Sequence, residues 1–211
     1  MKPALKHVLK QGFFNGSLTL CLLAFGSVSM AAQAEDWLVN SGHSNVSFVS
    51  TKKVDIAEVH KFKQVQGSLS KQGELALAID LNSVDTGISI RDERMASLLF
   101  EVAKYPKLEI TGHVNPKLIN DLPLGSTLVT QITATIQLHG QQVNKDIDVL
   151  VAKLTPTTLV VTSMTPVIVM ANEFDLVAGV EKLRDIAGLS SISMAVPVSF
   201  VLTLSQKISS K

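Results

Sequence analysis

The sequence predicts an all-β fold, an antiparallel β-barrel of about eight strands with two short helices near its mouth or flank. Three observations carry this. Apolar and polar residues alternate with a period of two along almost the whole chain. Two segments only, one in the middle and one near the end, switch to a helical period. No Gly/Ser/Pro-rich linker and no internal repeat divides the chain, whose length suits one domain.

The first 34 residues read as a leader and not as part of the fold. Lys2, Lys6, His7 and Lys10 form a basic start, Leu18 to Phe25 is an apolar run, and Ala32-Gln33-Ala34 is a small-residue cleavage site. The expected organisation is therefore a secretory signal over residues 1–34 and a barrel domain over residues 35–211. The apolar run is too short, and too polar at its edges, for a membrane span, so no transmembrane segment is expected after cleavage. Cys21 follows Leu20 where lipid attachment needs a small residue, and cleavage after Ala34 removes this single cysteine.

Within the domain, Leu75, Leu77, Ile79 and Leu81 alternate with Ala76, Ala78 and Asp80, a strand with one apolar face that Gly87 separates from a helical stretch. In that stretch Met95, Leu98, Leu99 and Val102 fall on one stripe of a helix expected over Asp92–Tyr105, stopped by Pro106. Leu128, Ile132, Ala134, Ile136 and Leu138 face one way and Gln131, Thr133, Thr135 and Gln137 the other. His139-Gly140 is a turn, and Ile147, Val149 and Val151 complete a hairpin. Leu159 and Val161, then Val167 and Val169, are further strand positions, with Pro166 forcing a bulge or an edge between them. A second helix is expected from about Asp175 to Ala187, with Gly188 as its stop. The last run alternates from Ile192 to Leu204, long enough at about 3.3 Å per residue for a strand on the order of 40 Å. Strands of that length suit a deep barrel, and closing the sheet removes its edges.

The composition argues against several chemistries. Losing Lys2, Lys6 and Lys10 turns 19 Lys+Arg against 18 Asp+Glu into a slight acidic excess with no basic block, which disfavours nucleic acid as a partner. His43, His60, His113 and His139 are scattered, with no HxH or HxxxH pair, so they read as turn or strand-face residues and no metal or covalent cofactor is expected. Ser68-Leu69-Ser70-Lys71 has a serine-x-x-lysine spacing, but it lies between Gly67 and Gly73 as a strand running into a turn, not at a helix start. Asp146 and Asp148 share one strand face and point to solvent by alternation. Arg91, Asp92, Glu93 and Arg94 form the densest charge cluster. They suit a helix start on a solvated rim, and their sharper reading sets Arg91 or Arg94 near a polar ligand head.

Three segments carry a family resemblance: WLVNSGHSNVSF from Trp37 to Phe48, SVDTGISIRDERMASLLFEVAKYP from Ser83 to Pro106, and LHGQQVNKDIDV from Leu138 to Val149. Together they resemble the YceI-like family of bacterial periplasmic, lipocalin-like proteins that bind polyisoprenoids. The resemblance spans nearly all of the chain after residue 34. It departs from the usual pattern at Leu99, which precedes Phe100 where a second aromatic is common, and in a long Asn172–Ser191 segment.

The resemblance implies a non-catalytic periplasmic protein that holds a long isoprenoid lipid or the tail of an isoprenoid quinone. The residues agree in kind, since aliphatic walls grip a hydrocarbon by area and shape at about 0.8 kcal/mol per buried CH₂. The pocket positions expected from strand phase are Phe48, Leu77, Ile79, Ile136, Val149, Val161, Val198 and Phe200. A barrel filled by its own side chains, acting as a structural or protein-interaction module, has the same alternation. An enzyme would need a polar constellation that the sequence does not offer.

Overall fold

Each alternating run pairs with the next in sequence, and the last returns to the first. The computed structural model describes residues 36–206, so the expected leader and its cleavage point lie outside the described residues. Twelve hydrogen-bonded segments make up eight strands. These are β1 (Trp37–Val39 and Asn45–Lys52), β2 (Ile56–Phe62 and Val65–Leu69), β3 (Glu74–Asp80 and Val84–Asp85) and β4 (Lys107–His113). They continue with β5 (Thr127–Leu138), β6 (Gln141–Thr155), β7 (Thr158–Ser163 and Val167–Met170) and β8 (Ala195–Gln206). Every pairing is antiparallel, and β8 closes the barrel on β1, with Leu204 opposite Val39 and Val198 opposite Phe48.

The interruptions have local causes. In β3 the Asp80 carboxylate accepts from the Asn82 N–H at 2.9 Å and the Ser83 hydroxyl donates to the Asp80 carbonyl at 2.6 Å, which turns the backbone away from the ladder. Leu81, which strand alternation predicts as a strand residue, therefore sits in the one-turn helix Leu81–Ser83, fully buried. In β7 both segments pair with the same side of β8, and Met164 to Pro166 bulge between them because proline has no N–H for the ladder. The last strand begins at Ala195 and not at Ile192. The Ser193 hydroxyl reaches forward to donate to the Ala195 carbonyl, while the Ser193 N–H donates to the Thr51 carbonyl.

Because the strands alternate in direction, their connections fall into two sets. One end of the barrel holds the 53–55 turn, residues 86–106, the 139–140 turn and residues 171–194; the other holds 70–73, 114–126 and 156–157. Both expected helices lie at the first end. The first is shorter and earlier than its apolar spacing suggests: α1 spans Ser89–Arg94 and passes into a π turn over Met95–Leu99. The Phe100 N–H bonds the Met95 carbonyl at 2.9 Å, and Glu101, at φ 49°, ends the helix well before Pro106. A short helix that alternation did not reveal, α2 (Pro116–Asn120), covers the other end, started by Asn115, whose side chain accepts from the Lys117 N–H. The second expected helix, α3 (Val177–Ile186), follows the turn Ala171–Phe174 and stops before Gly188, whose φ is 62°. Among the described residues no helix is long and apolar enough to cross a membrane.

Inward residues form two apolar clusters. One, with Trp37, Leu69, Val114, Ile119 and Leu204, lies toward the α2 end. The other, with Leu81, Leu99, Phe100, Leu138, Phe174 and Val180, lies under α1 and α3.

Candidate functional site: an apolar cavity inside the barrel

Period-two alternation puts one side chain in two of every strand into the barrel interior, and these do not fill it. They surround a cavity of about 230 Å³ that presents an apolar surface, Thr130 being the one polar residue of its wall, lined from Leu69 and Val114 at one end to Leu99, Phe100, Leu176 and Val180 at the other. All eight strands contribute. Engineered apolar cavities of about 150 Å³ stay dry and take up benzene, so this space is of ligand size.

The eight positions expected from strand phase, Phe48, Leu77, Ile79, Ile136, Val149, Val161, Val198 and Phe200, all line the cavity. Register explains why they meet. Leu77 faces Ile110, which faces Ile136 on the next strand, and Val161 faces Val151 on one side and Leu202 on the other. The sequence set both helices near the barrel mouth or flank and put Met95 and Leu99 on one apolar stripe, but it did not place Phe100 with them. Met95, Leu99 and Phe100 close the α1 end because the π turn brings Phe100 round onto the face of Met95, and a helical wheel places it elsewhere.

Toward that end the inner face of the β1–β2 hairpin changes character rung by rung. Val46 pairs with Phe62, Phe48 with His60, Ser50 with Glu58, and Lys52 with Ile56. Phe48 and Phe62 line the cavity, with ring centroids 5.4 Å apart. His60 is buried and packs edge-on to Phe48 at 5.3 Å. Its Nε2 lies 2.9 Å from the Ser50 hydroxyl and 3.7 Å from Glu58, while its buried Nδ1 has no hydrogen-bond partner among the described residues. Burial holds the His60 imidazole below its usual pKa, helped by the nearby Arg91 charge, so the ring is neutral at pH 7.

Glu58 anchors this edge. Its carboxylate takes Lys52 Nζ at 2.8 Å and Arg91 Nη1 at 2.6 Å. The Lys52 bond, with Arg91, keeps its pKa below the carboxylate range despite burial. Arg91 also donates from Nε to the Thr86 hydroxyl and from Nη2 to the Thr86 carbonyl. The guanidinium thus straps α1 to the hairpin, a structural duty that the charge cluster alone did not reveal.

The remaining polar candidates lie outside the barrel or in turns. Asp146 accepts from Thr133 and Asp148 from Gln131 across the outer face of β5 and β6, and exposed His113 pairs with Glu74. Ser68 and Leu69 end a strand, and the Ser70 hydroxyl accepts from the Gln72 and Glu74 N–H groups in the hairpin turn that follows, so the stretch is a strand running into a turn and not a helix start. Among the described residues no three His, Cys, Asp or Glu side chains gather in a metal-binding group.

Comparison with known proteins agrees with this architecture. A model of the YceI-like domain matches residues 37–204. A polyisoprenoid-binding domain from Saccharophagus degradans, implicated in plant cell wall breakdown, superposes with a TM-score of 0.80 and 37% identity, over 81% of this chain and 98% of that one. BcnA of Burkholderia cenocepacia follows with 0.60 and 20% identity, over 78% and 98% of the two chains. The YceI protein of Campylobacter jejuni gives 0.51 and 13%, over 71% and 85%. The last two show a shared fold alone. No curated protein sequence gives a match. The family match over the barrel, together with the 37% identity to the Saccharophagus domain, fixes the kinship: the chain belongs to the YceI-like family.

Proposed function

We propose that the chain is a non-catalytic periplasmic binding protein that holds a long isoprenoid lipid, or the tail of an isoprenoid quinone, inside its barrel. The observation that carries the reading is the cavity of about 230 Å³ with an apolar surface, reaching from the α2 end to the α1–α3 cap. Such a wall offers a ligand area and shape only, which is what an unfunctionalised hydrocarbon tail can use. The polyisoprenoid binding of the Saccharophagus domain supports the choice of an isoprenoid over a fatty acyl chain. The leader pattern over residues 1–34 supports export, and an aqueous periplasm gives such a tail reason to be sheltered. The side chains nearest the cavity form a wall and a strapped edge, not a nucleophile with a base, which supports binding over catalysis.

Purification under native conditions followed by organic extraction and mass spectrometry tests the reading. An isoprenoid lipid or quinone near one per chain is expected. Extracts with no lipid, from protein exported in its own host, would favour a barrel that serves as a structural or interaction module.

A further inference from the structure

The rungs of the β1–β2 hairpin pass from an apolar to a polar inner face over a few residues, and the change falls at Phe48 and His60. A ligand whose tail lies in the cavity with its head toward the α1–α3 end has that head near this rung, one step beyond the lining residues Phe48 and Phe62. Resting on the carrier reading, we infer that His60 Nδ1 accepts a hydrogen bond from a hydroxyl-bearing ligand head, and that the preferred ligands are neutral isoprenoid alcohols or phenols.

Three observations lead there. The nitrogen is buried and unpartnered among the described residues, whereas buried polar groups in folded proteins nearly always have a partner. His60 shares the inward phase of Phe62 and packs on Phe48, both of which line the cavity. The third concerns the proton. Nε2 has the Ser50 hydroxyl at 2.9 Å, which can accept or donate, and the Glu58 carboxylate at 3.7 Å, which can only accept, so a proton on that nitrogen suits both neighbours. Nδ1 is then a bare lone pair. It can take an O–H, but it offers nothing to an ether or a quinone carbonyl. A phosphate head fits poorly, because Arg91 and Lys52 are already bound to Glu58 and the ring itself is neutral. The nitrogen is buried beside the Phe48 ring, so a head that bonds it must displace part of that packing.

The probes are farnesol and its methyl ether, which share a chain and differ in the single O–H donor. Calorimetric titration of the delipidated chain should show farnesol binding about threefold to tenfold more tightly than the ether, the range of one net hydrogen bond. In His60→Phe that ratio should fall to near one. Should His60→Phe fail to fold, the wild-type chain labelled with ¹⁵N-histidine serves instead: farnesol should shift the His60 Nδ1 resonance and the ether should leave it in place. Equal affinities in the wild type, or a Nδ1 resonance that ignores farnesol once bound, would overturn the inference while leaving the carrier reading intact. Failure of both probes to bind the wild type would overturn the carrier reading and this inference with it.

Discussion

Gly179 on α3 lies against Leu99 of the π turn so closely that a β-carbon at 179 would stand 2.9 Å from the Leu99 Cα and 2.9 Å from the Leu98 carbonyl oxygen. Both are backbone atoms and have little room to move. Replacing glycine by alanine inside a helix ordinarily stabilises by up to about 1 kcal/mol. Here the sign should reverse. Gly179→Ala is expected to cost about 1–3 kcal/mol, as overpacking does, and urea unfolding measures it. An increase in stability would mean that the two helices separate freely.

The ion pair of Glu58 with Lys52 and Arg91 predicts a pH signature. The folded-state pKa of Glu58 is lowered, first by the Lys52 bond, so its contribution is fully present above the unfolded carboxylate value of about 4.3 and is lost as pH falls through the lower folded value. Wild type should therefore exceed Glu58→Gln in stability at neutral pH. The margin should close in strong acid. Denaturant melts of both proteins across that range check this, and a margin independent of pH would remove the carboxylate from the account.

His60 acts in a higher window. Burial depresses its pKa, so the neutral ring stabilises the fold above the unfolded value of about 6.5, and that stability declines as pH drops below it toward the folded value. Wild type should begin to lose stability in mild acid, before the carboxylates titrate. His60→Phe should be flat between about pH 6.5 and 5, a difference that thermal melts at matched ionic strength resolve.

Much of the barrel was legible because alternation is enforced residue by residue. A shift of one position would have carried Ile136 or Val149 to the solvent face, and the polar partners Thr135 and Asp148 leave no room for that error. The features that sequence did not reveal were set by non-local pairing. Glu58, His60 and Phe62 alternate correctly, but in isolation Glu58 and His60 look like an outer polar face. Only their register with Ser50 and Phe48 turns them inward. The π turn hid Phe100 for a related reason, since a sequence read with a helical period of 3.6 has no place for a five-residue turn. Arg91 read as part of a solvated helix start, with a ligand head as the sharper alternative, and its actual partner stayed hidden because Glu58 is 33 residues away.

The leader pattern predicts that the exported protein begins at Glu35. N-terminal sequencing of the secreted fraction should read Glu35-Asp36-Trp37. Retention of residues 1–34 in a membrane fraction would count against cleavage after Ala34.

A pair of substitutions separates a ligand cavity from an ordinary core. Ile136 and Val149 both line the cavity and are 4% and 2% exposed. Ile136→Asp puts a carboxylate on a wall with no polar partner, so it should abolish lipid co-purification, and its desolvation endangers folding as well. Val149→Phe adds volume without polarity. In a close-packed core that enlargement costs about 1–3 kcal/mol, but beside the 230 Å³ space the added ring can occupy the cavity itself. Val149→Phe should therefore unfold close to wild type while holding less lipid per chain, read by extraction and mass spectrometry on the same preparation. Clear destabilisation of Val149→Phe, with lipid content unchanged, would show that this part of the wall does not face the ligand.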